Sequence, residues 1–77
     1  MLEYFKKELV TLQRERLNEL IEQADGVNYL AKMLNIHYTT IKGWVTRGRI
    51  SKKGARMVEA NKALGEFFKA KYLRPDL

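Results

Sequence analysis

Between residues 27 and 49 the apolar positions follow a helical period, break once, and resume. Leu30, Ala31 and Leu34 fall at three- and four-residue intervals on one helical face, and Ile36, Ile41 and Trp44 take up the pattern after Asn35. The spacing predicts helices over Val27–Leu34 and Tyr38–Arg47, packed across a short turn as a helix-turn-helix (27–47 proper, 27–49 with its exit). Ala31 is small enough to let the second helix approach closely. The turn residue after the first of these helices needs a positive φ, for which Gly is the default and Asn the best substitute; Asn35 stands there. Gly48 is placed to cap the second helix at its C-terminus.

The flanking segments also read as helical. Residues 2–24 predict one long amphipathic helix, with Leu2, Phe5, Leu9 and Leu12 on one stripe and Leu17, Leu20, Ile21 and Ala24 continuing after a phase shift. Glu, Lys, Arg and Gln fill its other faces. Val10-Thr11 is its weak point, where Thr11 would cap a second helix were the segment broken. Residues 1–16 form an extension whose apolar stripe either enlarges the monomer core or forms a dimer seam. Asp25-Gly26 ends this helix, with Asp25 positioned to cap the next. Ser51 predicts the N-cap of a fourth helix running to Leu64 and closed by Gly65, with Ala55, Val58 and Lys62 on its inner edge. Phe67, Phe68 and Tyr72 suit a short fifth helix after Leu64. The alternation of Phe68, Ala70 and Tyr72 with Lys69 and Lys71 suits a strand instead, and the helix is preferred.

With 77 residues the chain makes one small all-α domain, near the lower size limit for a self-sufficient core, so dimerisation would add useful buried surface. There is no cysteine, and His37 is the only histidine, so neither a disulfide nor a metal site is expected. No apolar run reaches membrane-spanning length, and Glu3, Lys6, Lys7 and Glu8 interrupt any signal-peptide pattern, which points to the cytoplasm. No constellation of nucleophile, base or phosphate-binding glycine loop is present, so neither an enzyme nor a cofactor site is expected.

Charge changes this picture more than composition does. Residues 1–25 carry four basic and six acidic groups, whereas residues 26–64 carry eight basic groups against Glu59 alone. From Lys32 to Arg56 seven basic residues occur without one acid. A basic block centred on a helix-turn-helix is where a polyanion would sit. The major groove of B-DNA admits an α-helix, and the N-terminal half of the second helix faces the base edges. Tyr38, Thr39, Lys42 and Thr46 are therefore the candidates for base readout; Tyr38 could instead address a phosphate or lie half-buried against the preceding helix. Asn28, Arg47, Arg49, Lys52 and Lys53 are the candidates for phosphate contact. Ile41 and Trp44 belong to the core. His37 stands where an N-cap is wanted, although imidazole is a poor cap, and reads as a neutral spectator or a phosphate contact. Gly43 costs about 1 kcal/mol relative to Ala inside a helix.

The run LAKMLNIHYTTIKGWVTRGRIS, followed by Ala55-Arg56-Met57-Val58-Glu59 and the terminal Leu73-Arg74-Pro75-Asp76-Leu77, resembles phage Cro-type repressors and the related YdaS-like antitoxin helix-turn-helix proteins. Gly26, Asn28, Leu30, Ala31, Leu34, Ile36, Trp44, Gly48, Arg49, Ile50, Ala55, Val58, Glu59 and Gly65 fit the family pattern. The chain departs from it with Asn35 for Gly in the turn, His37 for Ser, Ser51 for Pro, and Gly54 where a longer residue is usual. The resemblance implies a compact five-helix, lambda-repressor-like fold, binding to a palindromic double-stranded DNA operator, and a homodimer on that DNA. Two other readings stand beside a Cro-like repressor. One is a transcription activator resembling the phage CII proteins. The other is an antitoxin or antirepressor that acts through a protein partner held by its long first helix.

Overall fold

The computed structural model describes residues 2–77, with side chains from Glu8 onward. Five helices follow one another: α1 (Leu2–Gln23), α2 (Val27–Leu34), α3 (Tyr38–Arg47), α4 (Lys52–Ala60) and α5 (Ala70–Leu73). No strand occurs among the described residues. The strand alternative for the last segment therefore falls, and α1 passes through Val10-Thr11 without a break.

Three consecutive helices end in the same way, and the ending is what makes the turns short. After α1, Asp25 N–H donates to the Glu22 carbonyl and Gly26 N–H to the Ile21 carbonyl. After α2, Asn35 N–H donates to Lys32 O and Ile36 N–H to Ala31 O; after α3, Gly48 N–H donates to Val45 O and Arg49 N–H to Trp44 O. Each is a Schellman closure, which requires a left-handed residue just past the helix. Asp25 (φ 63°), Asn35 (φ 54°) and Gly48 (φ 80°) supply it. Asn35 thus takes the role its place in the pattern predicts. Asp25 does not cap α2, because its left-handed backbone is committed to closing α1; Gly26 is the N-cap and makes no side-chain cap bond.

The core is one cluster in which Leu17, Leu20, Leu30, Ile41, Trp44, Ile50, Val58 and Leu73 are fully buried. Leu2 and Phe5 lie outside the described side chains, while Leu9 and Leu12 are half-buried and Val10 is exposed. Gln13, which the pattern groups with the polar faces of α1, is buried instead. Farther along, Arg16 Nη1 donates to the Tyr72 carbonyl at 2.7 Å and Tyr72 Oη donates to Glu19 Oε2 at 2.9 Å, so α1 is fastened to the C-terminal segment.

The C-terminal third differs from its periodicity. α4 stops at Ala60 rather than Leu64 because the Asn61 side chain intercepts the backbone. Its Oδ1 accepts from the N–H groups of Ala63 and Leu64, and its Nδ2 donates to the Met33 carbonyl of α2. Lys62 is therefore exposed and not on an inner edge. Gly65 does not close a helix; a Cβ there would overlap the Glu59 carbonyl, so its bareness allows the chain to fold back over the end of α4. Residues 62–67 run as turns, Phe67 points to solvent, and Phe68 is buried. α5 then begins where Glu59 Oε1 accepts from the Ala70 N–H.

Ser51 caps α4 as its sequence position predicts, accepting from the Gly54 N–H at 3.0 Å. Gly54 has a tighter reason to be glycine: a Cβ would stand 2.5 Å from Trp44 Cζ2 and 3.0 Å from Ile50 Cγ1. The indole occupies the space that a longer residue would need. Replacing Gly54 with Ala should therefore destabilise the fold by about 1–3 kcal/mol through overpacking, despite the better helix propensity of alanine. Urea unfolding of G54A beside the parent chain measures this, and an unchanged midpoint would refute it.

Candidate nucleic-acid interface

α3 presents two chemically distinct faces. Ile41 and Trp44 point into the core, and Tyr38, Thr39, Lys42 and Thr46 are exposed. All four candidate readout residues thus share the outward side of one helix. His37 begins that helix and, against expectation, is its cap: Nδ1 accepts from the Thr39 N–H at 3.3 Å and lies 2.8 Å from Thr39 Oγ1. A ring nitrogen with a free lone pair does what a Ser oxygen would do there. The imidazole also stacks on Tyr38, with ring centroids 4.8 Å apart, which holds the phenol at the exposed start of α3. Tyr38 keeps 42% of its surface in solvent, so it is not sequestered by α2.

Two side chains on this face are partly committed within the protein. Thr46 Oγ1 donates its proton to the Lys42 carbonyl at 3.0 Å, leaving its lone pairs and methyl group outward. Lys42 Nζ lies 5.3 Å from the Tyr38 ring centroid, a cation–π contact. Arg47 folds back along α3 until its guanidinium covers Gly43, where an added Cβ would meet it at 3.5 Å. Gly43 is therefore a flat bed for that side chain.

Asn28 is exposed at the start of α2. It shares a recess of about 770 Å³ with Asp25, Gly26, Tyr29, Lys32, Tyr38 and Lys42, so the candidate phosphate contact and two candidate readout residues lie side by side, with one carboxylate on the rim. Because Gly26 makes no side-chain cap bond, the first N–H groups of α2 have no capping side chain at this recess. Tyr29 is a residue that sequence reasoning missed. It is 62% exposed, lies 5.8 Å from the Lys32 ammonium, and carried no signal apart from its position. On the other flank, Arg49, Lys52 and Lys53 are exposed, and Lys53 lines a shallow recess with Thr40 of α3.

The turn bearing Arg49 is held from a distance. Arg74 is buried; its Nη1 donates to the Ile50 carbonyl at 2.9 Å, while Nε and Nη2 grip the Asp76 carboxylate at 2.8 and 2.6 Å. These hydrogen bonds hold the Asp76 carboxyl down at about 2, and the charges of Arg74 and, more weakly, Lys52 pull the same way. Lys52 is accordingly drawn toward an internal carboxylate as well as being exposed. Arg14 of α1 also reaches this end of α3, with its guanidinium against Gly48. Among the described residues no group of metal-ligating side chains occurs, and no helix is long and apolar enough to cross a membrane.

Comparison of the chain with protein-family models, with curated proteins and with solved structures finds no match.

The Asp76 clamp makes a pH prediction. Its folded pKa of about 2 lies below the usual 3.8, so its stabilisation is present above pH 3.8 and is lost as the pH falls toward 2. Because the Asp76 side chain is 40% exposed, screening limits the contribution to about 1 kcal/mol. Unfolding free energies at pH 7 and pH 2 should differ less in D76N than in the parent chain. Equal pH dependence in both would contradict the clamp.

Proposed function

We propose that this chain is a sequence-specific double-stranded DNA-binding regulator of transcription, a Cro-like repressor that reads the major groove with α3. The observation that carries this reading is the outward face of α3. Tyr38, Thr39, Lys42 and Thr46 lie there together, at one end beside the uncapped start of α2. Among the described residues the ion pair found is Arg74–Asp76, which leaves Lys42, Arg47, Arg49 and Lys53 free for an external anion.

Each readout side chain has a definite chemistry. Lys42 donates to guanine O6 and N7. Thr46, with its proton used internally, accepts from a base amino group or packs its methyl on a thymine methyl. Thr39 offers the same pair of contacts nearer the helix start. Tyr38, held by His37, reaches a base edge or the adjoining backbone. Asn28 and the first N–H groups of α2 receive one phosphate, and Arg47, Arg49, Lys52 and Lys53 receive the backbone beyond the far end of α3. The protein works in the cytoplasm as a homodimer on a two-fold operator, in keeping with the resemblance of its motif to Cro-type repressors.

One observation favours a protein partner as a second reading. Phe67 is 75% exposed on the rim of a recess of about 360 Å³ floored by Met33, Leu64 and Phe68. An antitoxin or antirepressor would use such a surface, with the basic face secondary.

Selection of bound duplexes from a random pool at 0.1 M salt tests the main reading. The parent chain should enrich one sequence, and T39A/K42A should lose that preference while its circular dichroism is unchanged. Four phosphate-bound cations per chain, eight in the homodimer, would give a log–log salt slope of about −7. A parent chain that enriches no sequence would sink the proposal. A chain that represses or activates a promoter carrying the selected sequence reports the direction of control.

A further inference from the structure

The first 25 residues are net acidic, yet one of their arginines lies at the basic end of α3. Arg14 lays its guanidinium on Gly48, the left-handed residue that closes α3. A Cβ at position 48 would stand 3.1 Å from Nη2 and 3.2 Å from Nε, so any other residue would crowd it. Arg47 and Arg49 flank Gly48 along the chain, and both are exposed. Among the described residues none of these three arginines has a carboxylate within ion-pair distance. The Arg47 guanidinium reaches back to Gly43, so Arg14 is the cation seated on the end of α3, and it is stabilised by any negative charge that shares the space. The partial negative charge at the end of α3 supplies a fraction of it and fades within the last turn.

The geometry of α3 suggests what supplies the rest. Ten residues make a helix about 15 Å long, so its two ends can address separate phosphates. The uncapped start of α2 lies beside the beginning of α3, and Arg14 lies at its end. Two anion-seeking positions thus lie at opposite ends of α3. Resting on the DNA reading above, we propose that Arg14 binds a DNA phosphate at the end of α3 away from the one held at Asn28, so that α1 supplies the second of two clamps between which α3 is held. The planar guanidinium suits a phosphate through two parallel hydrogen bonds, and the bare backbone of Gly48 is the surface on which it is laid.

The test uses R14A and R14K in the full chain, with binding measured on the selected duplex and on a scrambled one over a range of salt. For each chain bound, R14A should weaken binding to both by the same factor, about eightfold at 0.1 M salt, and make the log–log salt slope shallower by about 0.9. Its ranking of sequences should be unchanged. R14K should keep the slope and lose part of the affinity. Circular dichroism and the melting temperature of each free variant separate folding from binding. An R14A chain that melts earlier but binds both duplexes as the parent does would overturn the inference, leaving Arg14 as a counter-charge to the end of α3. A changed sequence ranking would overturn it too, since a phosphate contact carries no base information. If the parent chain bound neither duplex, the DNA reading itself would fall; preference in the parent beside an unaffected R14A would remove this inference alone.

Discussion

The packing of Trp44 against Gly54 fixes how α3 is rotated about its own axis. A ten-residue helix has no intrinsic reason to turn one side outward, and its exposed side is whatever the buried side leaves over. The indole fills the space over Gly54, next to Ile50 in the same buried cluster, while Ile41 sits one turn earlier on the same face. Turning α3 further toward α4 would drive that ring into the backbone at Gly54. The orientation of Tyr38, Thr39, Lys42 and Thr46 therefore follows from a contact on the opposite side of the helix. A glycine in an otherwise regular helix costs propensity, and here the cost is offset by the closeness it permits.

The two central helices and their turn were legible because their determinants are local. The apolar period of Leu30, Ala31, Leu34, Ile41 and Trp44, the left-handed demand met by Asn35 and the oxygen cap of Ser51 each involve residues a few positions apart. The final third was less legible because its determinants are not. Asn61 stands in a helical period, and what stops α4 there includes a bond to Met33 O, 28 residues earlier. The position of Arg14 was hidden for the same reason. A charge sum over the first 25 residues counts it with its acidic neighbours, and the fold seats it beside Gly48. His37 is a different kind of miss. Cap preferences rank side-chain oxygens first, but any acceptor at the right distance from the Thr39 N–H can serve.

Three left-handed closures in succession also limit how the chain can vary. Each reverses the chain within two or three residues, and each sets the starting point of the next element. Asp25 and Asn35 tolerate this conformation because their short polar side chains reduce its penalty, whereas a β-branched residue would not. The direction of α3 is thus set by two small backbone constraints before any tertiary contact is made.

Arg74 gives the structure an order of assembly. The bond from its guanidinium to Ile50 O spans 24 residues, and that from Arg16 to Tyr72 O spans 56. Contacts between α2 and α3 are local and inexpensive in chain entropy, so they form readily; the pairings that join the two ends of the chain carry the largest loop-closure cost. The local closure of α3 shapes the turn carrying Arg49, and Arg74 fastens it from 24 residues away. In a nascent chain the bond that fastens that turn to the C-terminal segment becomes available only once residue 74 has been made.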